Sequence, residues 1–302
     1  MIPVGNPLHE GNPPKRTKQR ISPMVDYAFQ TAYRKEHIAA FEQNYTILRA
    51  GCVQEAVIKG NSAIFLVSGS GSATAVTRGV NSLIPYNTVS NVQNTCTLVE
   101  YHAPFERTGF NIFASQGDQK RIMLDSSIAT LNRNIDNAII TQLDTATNDT
   151  GTSTTMSLNL FIKAHVILAA NDVDVTQEDK MFAVITPAAN GYLMQIPEYA
   201  SADYVEVKPF AGPARRMRRW GGVNIMIHPH LTGVGTSTEY CYMWHQNAIG
   251  HAANSKEMEV EVGYDAKQQL SWSRATLYHG AKLLQNSGVV QIKHDGSAFA
   301  AS

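Results

Sequence analysis

Asp118-Gln119-Lys120-Arg121-Ile122-Met123-Leu124-Asp125-Ser126-Ser127-Ile128-Ala129-Thr130-Leu131-Asn132-Arg133-Asn134-Ile135-Asp136-Asn137-Ala138-Ile139-Ile140-Thr141-Gln142-Leu143 is the stretch whose reading decides the fold. Leu124, Ile128, Leu131, Ile135, Ile139 and Leu143 recur every three or four residues and so line one face of a helix. Arg121, Asp125, Asn132, Arg133, Asp136 and Asn137 fill much of the remainder. Asp118 suits the N-cap, where its carboxylate accepts from a free backbone N–H of the first turn. No Pro or Gly interrupts the run, and Thr145-Ala146-Thr147-Asn148-Asp149-Thr150-Gly151 ends it. At 1.5 Å per residue the helix spans about 40 Å. The expectation is a spine laid across a flat body.

Upstream, residues 1–23 hold five of the twelve prolines together with Lys15, Arg16, Lys18 and Arg20, and read as an extended arm whose basic cluster faces an acidic partner or DNA phosphates. Asp26 to about Leu48 reads as helix, stopped by Gly51. Cys52 to Ile58 and Ala63 to Val67, set around Lys59-Gly60-Asn61-Ser62, give a hairpin signal. A Gly/Ser tract, Ser68 to Thr74, follows. A lone hairpin with such a continuation is marginal in water, and its open edges invite pairing with another chain. Residues 50–92 are therefore expected to lie on a neighbouring subunit, with Val57, Lys59, Asn61 and Phe65 among the contacts.

Downstream come a strand from Thr95 to Ala103 stopped by Pro104, a polar hinge over residues 151–156, and a helix from Leu158 to Ala170 carrying Leu160, Ala164, Ile167 and Leu168 on one stripe. A buried strand at Phe182–Ile185 precedes Thr186-Pro187, an N-cap followed by proline at the first helical position. Strands are expected at Gly222–His228, Glu239–Trp244, Met258–Tyr264 and Leu270–Leu277, and a final segment, Ala281–Leu284 then Gly288–Lys293, closes the chain as strand. The class is α+β. The 302 residues are 43% hydrophobic and only 17% charged, with zero formal net charge, which favours burial against neighbours over a free nucleic-acid binder. Cys52, Cys96 and Cys241 are too few and scattered for a disulfide framework. No run of eighteen apolar residues and no apolar leader core is present, so neither membrane span nor secretory signal is expected.

Two constellations carry possible chemistry. His228-Pro229-His230 places two imidazoles on one side of a strand, and Cys241 and His245 could complete a tetrahedral zinc set or a thiol–imidazole pair. The spacing matches no named zinc module, and ordinary core and loop histidines are the competing reading. Arg215, Arg216, Arg218 and Arg219 before Trp220 form the densest charge run, facing either DNA or a neighbour's acids. No Walker loop, dinucleotide fingerprint or nucleophile elbow occurs, and no cofactor is expected.

The order of the elements resembles the major capsid proteins of tailed bacteriophages with the Hong Kong 97 type of fold. The resemblance covers residues 26–294. It rests on Asn132-Arg133-Asn134-Ile135-Asp136-Asn137-Ala138-Ile139-Ile140, Ile167-Leu168-Ala169-Ala170-Asn171-Asp172-Val173 and Ala183-Val184-Ile185-Thr186-Pro187, and on Tyr199 to Tyr204, Trp244 to Gly250 and Gly280 to Leu284. It implies an N-terminal arm and helix (1–49), an extended loop (50–92), a peripheral domain with the spine helix (93–150 plus 266–302) and an axial domain (151–265). It also implies a structural, non-enzymatic subunit that forms pentamers and hexamers of an icosahedral head enclosing double-stranded DNA. The implied partners are further copies of the chain, packaged DNA contacted without sequence preference, and separate scaffolding, portal and decoration proteins. The implied location is the virion capsid, assembled in the host bacterial cytoplasm. The alternatives are an encapsulin-type compartment and, in another class, a zinc or thiol hydrolase using His228, His230, Cys241 and His245.

Overall fold

The computed structural model describes residues 45–57, 59–70, 73–114, 118–200, 217–254 and 258–299. The N-terminal arm with Lys15, Arg16, Lys18 and Arg20, the helix expected from Asp26 up to residue 44, and Arg215 and Arg216 lie outside these residues. The strands are β1 (Val53–Val57), β2 (Ser62–Gly69), β3 (Ser90–Thr97), β4 (Val99–Thr108), β5 (Met181–Ile185), β6 (Met217–Trp220), β7 (Val223–Ile227), β8 (Glu239–His245), β9 (Ile249–Asn254), β10 (Glu259–Asp265), β11 (Leu270–Leu283) and β12 (Val289–His294). The helices are α1 (Gly109–Ala114), α2 (Gln119–Asp144), α3 (Leu158–Ala170), α4 (Pro187–Met194) and α5 (Pro197–Ala200).

The spine forms as its periodicity requires. Asp118 caps α2 by accepting from Arg121 N at 3.2 Å, and 26 residues give a rod of about 39 Å. Leu131, Ile135, Ile139 and Leu143 are buried, whereas in the first turns Met123 and Ser127 face inward in place of Leu124 and Ile128. The orphan carbonyls at the C-terminal end are met by one side chain. Gln291 Nε2 donates to Leu143 O, Asp144 O and Ala146 O at 3.4, 3.0 and 2.8 Å.

Two five-stranded sheets flank this helix. The first runs β1-β9-β11-β10, with β4 on the other edge of the 14-residue β11. The second runs β12-β8-β5-β7-β6. Its central strand β5 is buried on both faces along its whole length, whereas the edge strand β6 is largely exposed. Phe182, Val184, Met226, Tyr242, Trp244 and Val289 join the core under α2. Met181, Ala183, Ile185, Cys241, Met243 and Ile292 join a second core with Leu160, Phe161, Ala164 and Leu168 of α3 and Leu193 of α4. Thr186 caps α4 through Ala189 N at 3.1 Å, with Pro187 at the first helical position.

Several expectations are corrected. The hairpin around Gly60-Asn61 does not form. β1 pairs in parallel with β9, nearly two hundred residues away, and β2 pairs antiparallel with β3 beyond the Gly/Ser tract. Gly60 (φ +113°) still turns the chain, but from one sheet to another. Residues 45–47 are not helical, and Leu48–Gly51 is a single 3-10 turn. The strand expected at Thr95–Ala103 is two strands meeting at Leu98, and Pro104 does not stop the second, because β4 is an edge strand with no donor needed on its open side. β11 runs on to Leu283, so Ala281 belongs to it and not to β12. β6 and β9 were not foreseen. The segment at 151–156 is no free hinge, since bridges Asp149–Gln291 and Thr154–His294 pin it along β12.

Asp136 is the largest local surprise. Expected on the polar face, it is fully buried and accepts from Ile47 N at 2.9 Å and Leu48 N at 3.2 Å, with His228 Nε2 at 3.5 Å from the same carboxylate. These partners are what a buried carboxylate requires. Beside it, His251 and His279 are both inaccessible, with rings 5.6 Å apart. Burial, reinforced by each other and by the nearby Arg49 charge, pushes His251 down to about 3, and burial with Arg49 pushes His279 down to about 4.

Two outcomes follow for unassembled subunits. Asp136→Ala strands two buried N–H groups and should cost about 2–4 kcal/mol in denaturant titration, against under about 0.5 kcal/mol for exposed Asp125→Ala; equal costs would refute the clamp. Both histidines ionise less readily folded than unfolded, so their contribution is complete above about pH 6.5 and lost as the pH falls toward 4. At pH 5 the loss is about 2 kcal/mol per ring. His251→Leu should flatten that acid decline, and an unchanged decline would show that the rings do not cause it.

Candidate functional site

The β2–β3 hairpin forms a two-stranded sheet of its own, apart from the two five-stranded sheets. Its register, Ala63↔Cys96, Phe65↔Asn94 and Val67↔Val92, sorts the side chains into two faces. On one face Ala63, Phe65 and Cys96 are buried with Ala252 of β9. Phe65 lies so close under the backbone that a Cβ at Gly250 would sit 3.0 Å from its ring. On the other face Ile64 and Leu66 are 61% and 59% exposed. Toward the tip the support ends, and Val80, Leu83, Tyr86 and Val89 are each more than 70% exposed. These are the most exposed of the large apolar side chains on the β2–β3 segment among the described residues.

The four residues expected to make inter-subunit contacts sit at the hairpin base. Phe65 packs within its own subunit. Val57, Lys59 and Asn61 line a pocket of roughly 390 Å³ together with Glu100, Glu259 and Tyr278, and Asn61 O accepts from Leu98 N at 2.8 Å. Sequence reasoning missed Ile64, Leu66 and the tip residues. The signal was present, because Ala63 to Val67 is apolar without alternation, which marks a strand covered on both faces.

Of the basic run, Arg218 and Arg219 lie on β6. Arg219 pairs with Glu178 at 3.2 Å and Asp179 at 2.5 Å within the same subunit, which leaves its charge locally compensated.

The residues of the hydrolase reading do not converge. Cys241 and His228 belong to opposite faces of the second sheet. Cys241 is in the α3 core, accepts from Thr186 N at 3.4 Å, and is pushed by burial up to about 12, far from a thiolate at neutral pH. His228 turns toward Asp136 under α2, and its Nδ1 accepts from His230 N. His245 Nδ1 accepts from Asn247 N. Among the described residues no group of three or more His, Cys, Asp or Glu is placed to hold a metal ion. None of the described helices is long and apolar enough to cross a membrane.

Solved structures share this arrangement. Mycobacterium phage Che8 is 14% identical over 90% of this chain and 98% of its own, with a TM-score of 0.67. The capsid of cyanophage P-SCSP1u is 14% identical over 88% and 93%, TM-score 0.66. The capsid of a native GTA particle is 13% identical over 92% and 99%, TM-score 0.66. Identities this low carry the fold alone. Among curated proteins none matches significantly. The sequence profile described as phage capsid protein matches residues 25–296. The family match over residues 25–296, on a mixed fold shared with solved capsid structures, identifies the chain as a member of the phage capsid protein family, a structural protein of the phage head.

Proposed function

We propose that the chain is the repeating subunit of an icosahedral head, built from pentamers and hexamers around double-stranded DNA, and that the β2–β3 hairpin is the device that joins one subunit to the next. The observation that carries this reading is the hairpin's asymmetry: anchored on β9 by Phe65 and Cys96, with Ile64 and Leu66 on its other face and Val80, Leu83, Tyr86 and Val89 beyond it left exposed. A neighbour that covers the open face removes apolar area worth about 25 cal/mol per Å² before ordering costs. Heterologous contacts of this kind close into rings, and an arm bridging rings closes a shell.

In this reading α2, β4 and β11 form the peripheral domain and α3, α4 and the second sheet the axial domain. The pairing of β9 and β10 with β11 supports ending the axial segment near residue 248 instead of 265, and the pairing of β12 with β8 supports returning Val289–His294 from the peripheral to the axial domain. The near-neutral subunit suits contact with DNA that is non-specific and weak. Scaffolding, portal and decoration proteins would be separate chains, and assembly would take place in the host bacterial cytoplasm.

The test is the double variant Ile64→Glu with Leu66→Glu. Both side chains are exposed, so thermal unfolding of the subunit should shift little, while closed particles disappear from negative-stain micrographs. Particles of normal number and size would remove the hairpin from its assigned role.

A further inference from the structure

The phrase Asn132-Arg133-Asn134-Ile135-Asp136-Asn137 is only partly used by the core. Asp136 turns inward. Thr130, Arg133, Asn134 and Asn137 stand at i, i+3, i+4 and i+7, and so share one face of α2. That face forms one wall of an open pocket of roughly 480 Å³, with His102 of β4 and His230 of the loop after β7 opposite. The wall is rich in donors. Half-buried Arg133 donates to Thr130 Oγ1 at 3.3 Å and has no carboxylate partner among the described residues. Arg121, Arg219 and Arg274, by contrast, are each paired with acids. Asn134 Oδ1 lies 2.8 Å from His279 Nε2. Burial keeps His279 neutral at neutral pH, with the Nε2 proton given to that oxygen, so the Asn134 amide N–H₂ is the end left for the pocket. His102 is occupied on both sides, by Glu100 at 3.1 Å and Thr276 Oγ1 at 3.0 Å, and acts as a wall. The carboxylate of Asp136 is covered by backbone N–H groups in the core.

Thr130 Oγ1 gives its own proton to Ser126 O at 2.8 Å and so holds Arg133 in place without donating into the pocket. We propose that this pocket binds a phosphate group, with Arg133 as the charged fork and Asn134 and Asn137 as neutral donors. Arginine and amide side chains grip phosphate oxygens, and amide donors beside one guanidinium suit a phosphate's three terminal oxygens better than a carboxylate's two. The oxyanion assignment stands on the pocket. Its source, the backbone of enclosed DNA or free phosphate, rests on the shell reading.

The experiment is isothermal titration of the full-length protein with sodium phosphate, then with sodium acetate, and competition of bound phosphate by a short DNA duplex. Phosphate should bind and acetate should not. Arg133→Gln should weaken binding about tenfold or more, while Arg121→Gln, the same charge change elsewhere on α2, leaves it intact. Circular dichroism verifies folding. Should Arg133→Gln fail to fold, Asn137→Asp at an exposed position places a repelling carboxylate in the pocket and should abolish binding. No phosphate binding, equal acetate binding or equal loss in Arg121→Gln would overturn the proposal. A duplex that displaces phosphate and loses affinity with Arg133→Gln identifies the DNA backbone as the source. A duplex indifferent to Arg133 while phosphate is lost identifies free phosphate and leaves the pocket standing. Micrographs decide the shell reading independently, because a closed particle that ignores phosphate refutes the pocket alone.

Discussion

A buried carboxylate has to be covered by donors or it destabilises the fold that contains it. Asp136 meets that requirement by reaching across from the middle of α2 to the backbone of Ile47 and Leu48. This ties the chain just before β1 to the spine. The neighbouring contacts depend on the same placement: Trp244 Nε1 donates to Gly51 O at 2.7 Å, and Leu48 and Cys52 fill the core beneath Trp244 and Ile249. The clamp thus joins the Trp244–Gly51 bond and the β1–β9 pairing in fixing where β1 starts beside the spine.

The second sheet separates two kinds of interior. Alternation along β5, β8 and β12 sends one set of side chains toward α2 and the other toward α3 and α4. Some of the polar groups buried there cross-tie the elements. His294 Nε2 faces both Thr186 Oγ1 at 2.9 Å and Glu239 Oε2 at 3.2 Å, and Tyr242 donates to Asp144 at the end of the spine. A protein that works by presenting shape to its copies gains from such internal cross-ties, since a rigid body transmits the geometry of one contact to the next.

The parts legible in the sequence were those with local rules. The cap at Asp118, the N-cap and proline at Thr186-Pro187 and the α3 stripe are all decided within a few residues, and all form as read. What escaped was decided at long range. Ala63 to Val67 and Val53 to Val57 carry strand character but no label for their partners, so the nearest pairing was chosen and was wrong. Asp136 looks like its polar neighbours on α2, because nothing local reveals that two N–H groups arrive from the chain near Leu48. The candidate site was therefore read as a region, residues 50–92, and the exposed Ile64 and Leu66 within it were not singled out. His228 and Cys241, close in sequence terms, were parted by the strand parity of a sheet buried on both sides.

The parallel pairing of β1 with β9 has a consequence for the order of events during synthesis. Val53 meets Gly250 and Val57 meets Asn254, and β9 is in turn held by β11, which ends at Leu283. Closing a loop of this length comes late in folding. A nascent chain carries Val53–Val57 out of the ribosome early, but the strands it rests on are complete only once Leu283 has emerged. The geometry thus leaves β1 and the hairpin base waiting on sequence made more than two hundred residues later.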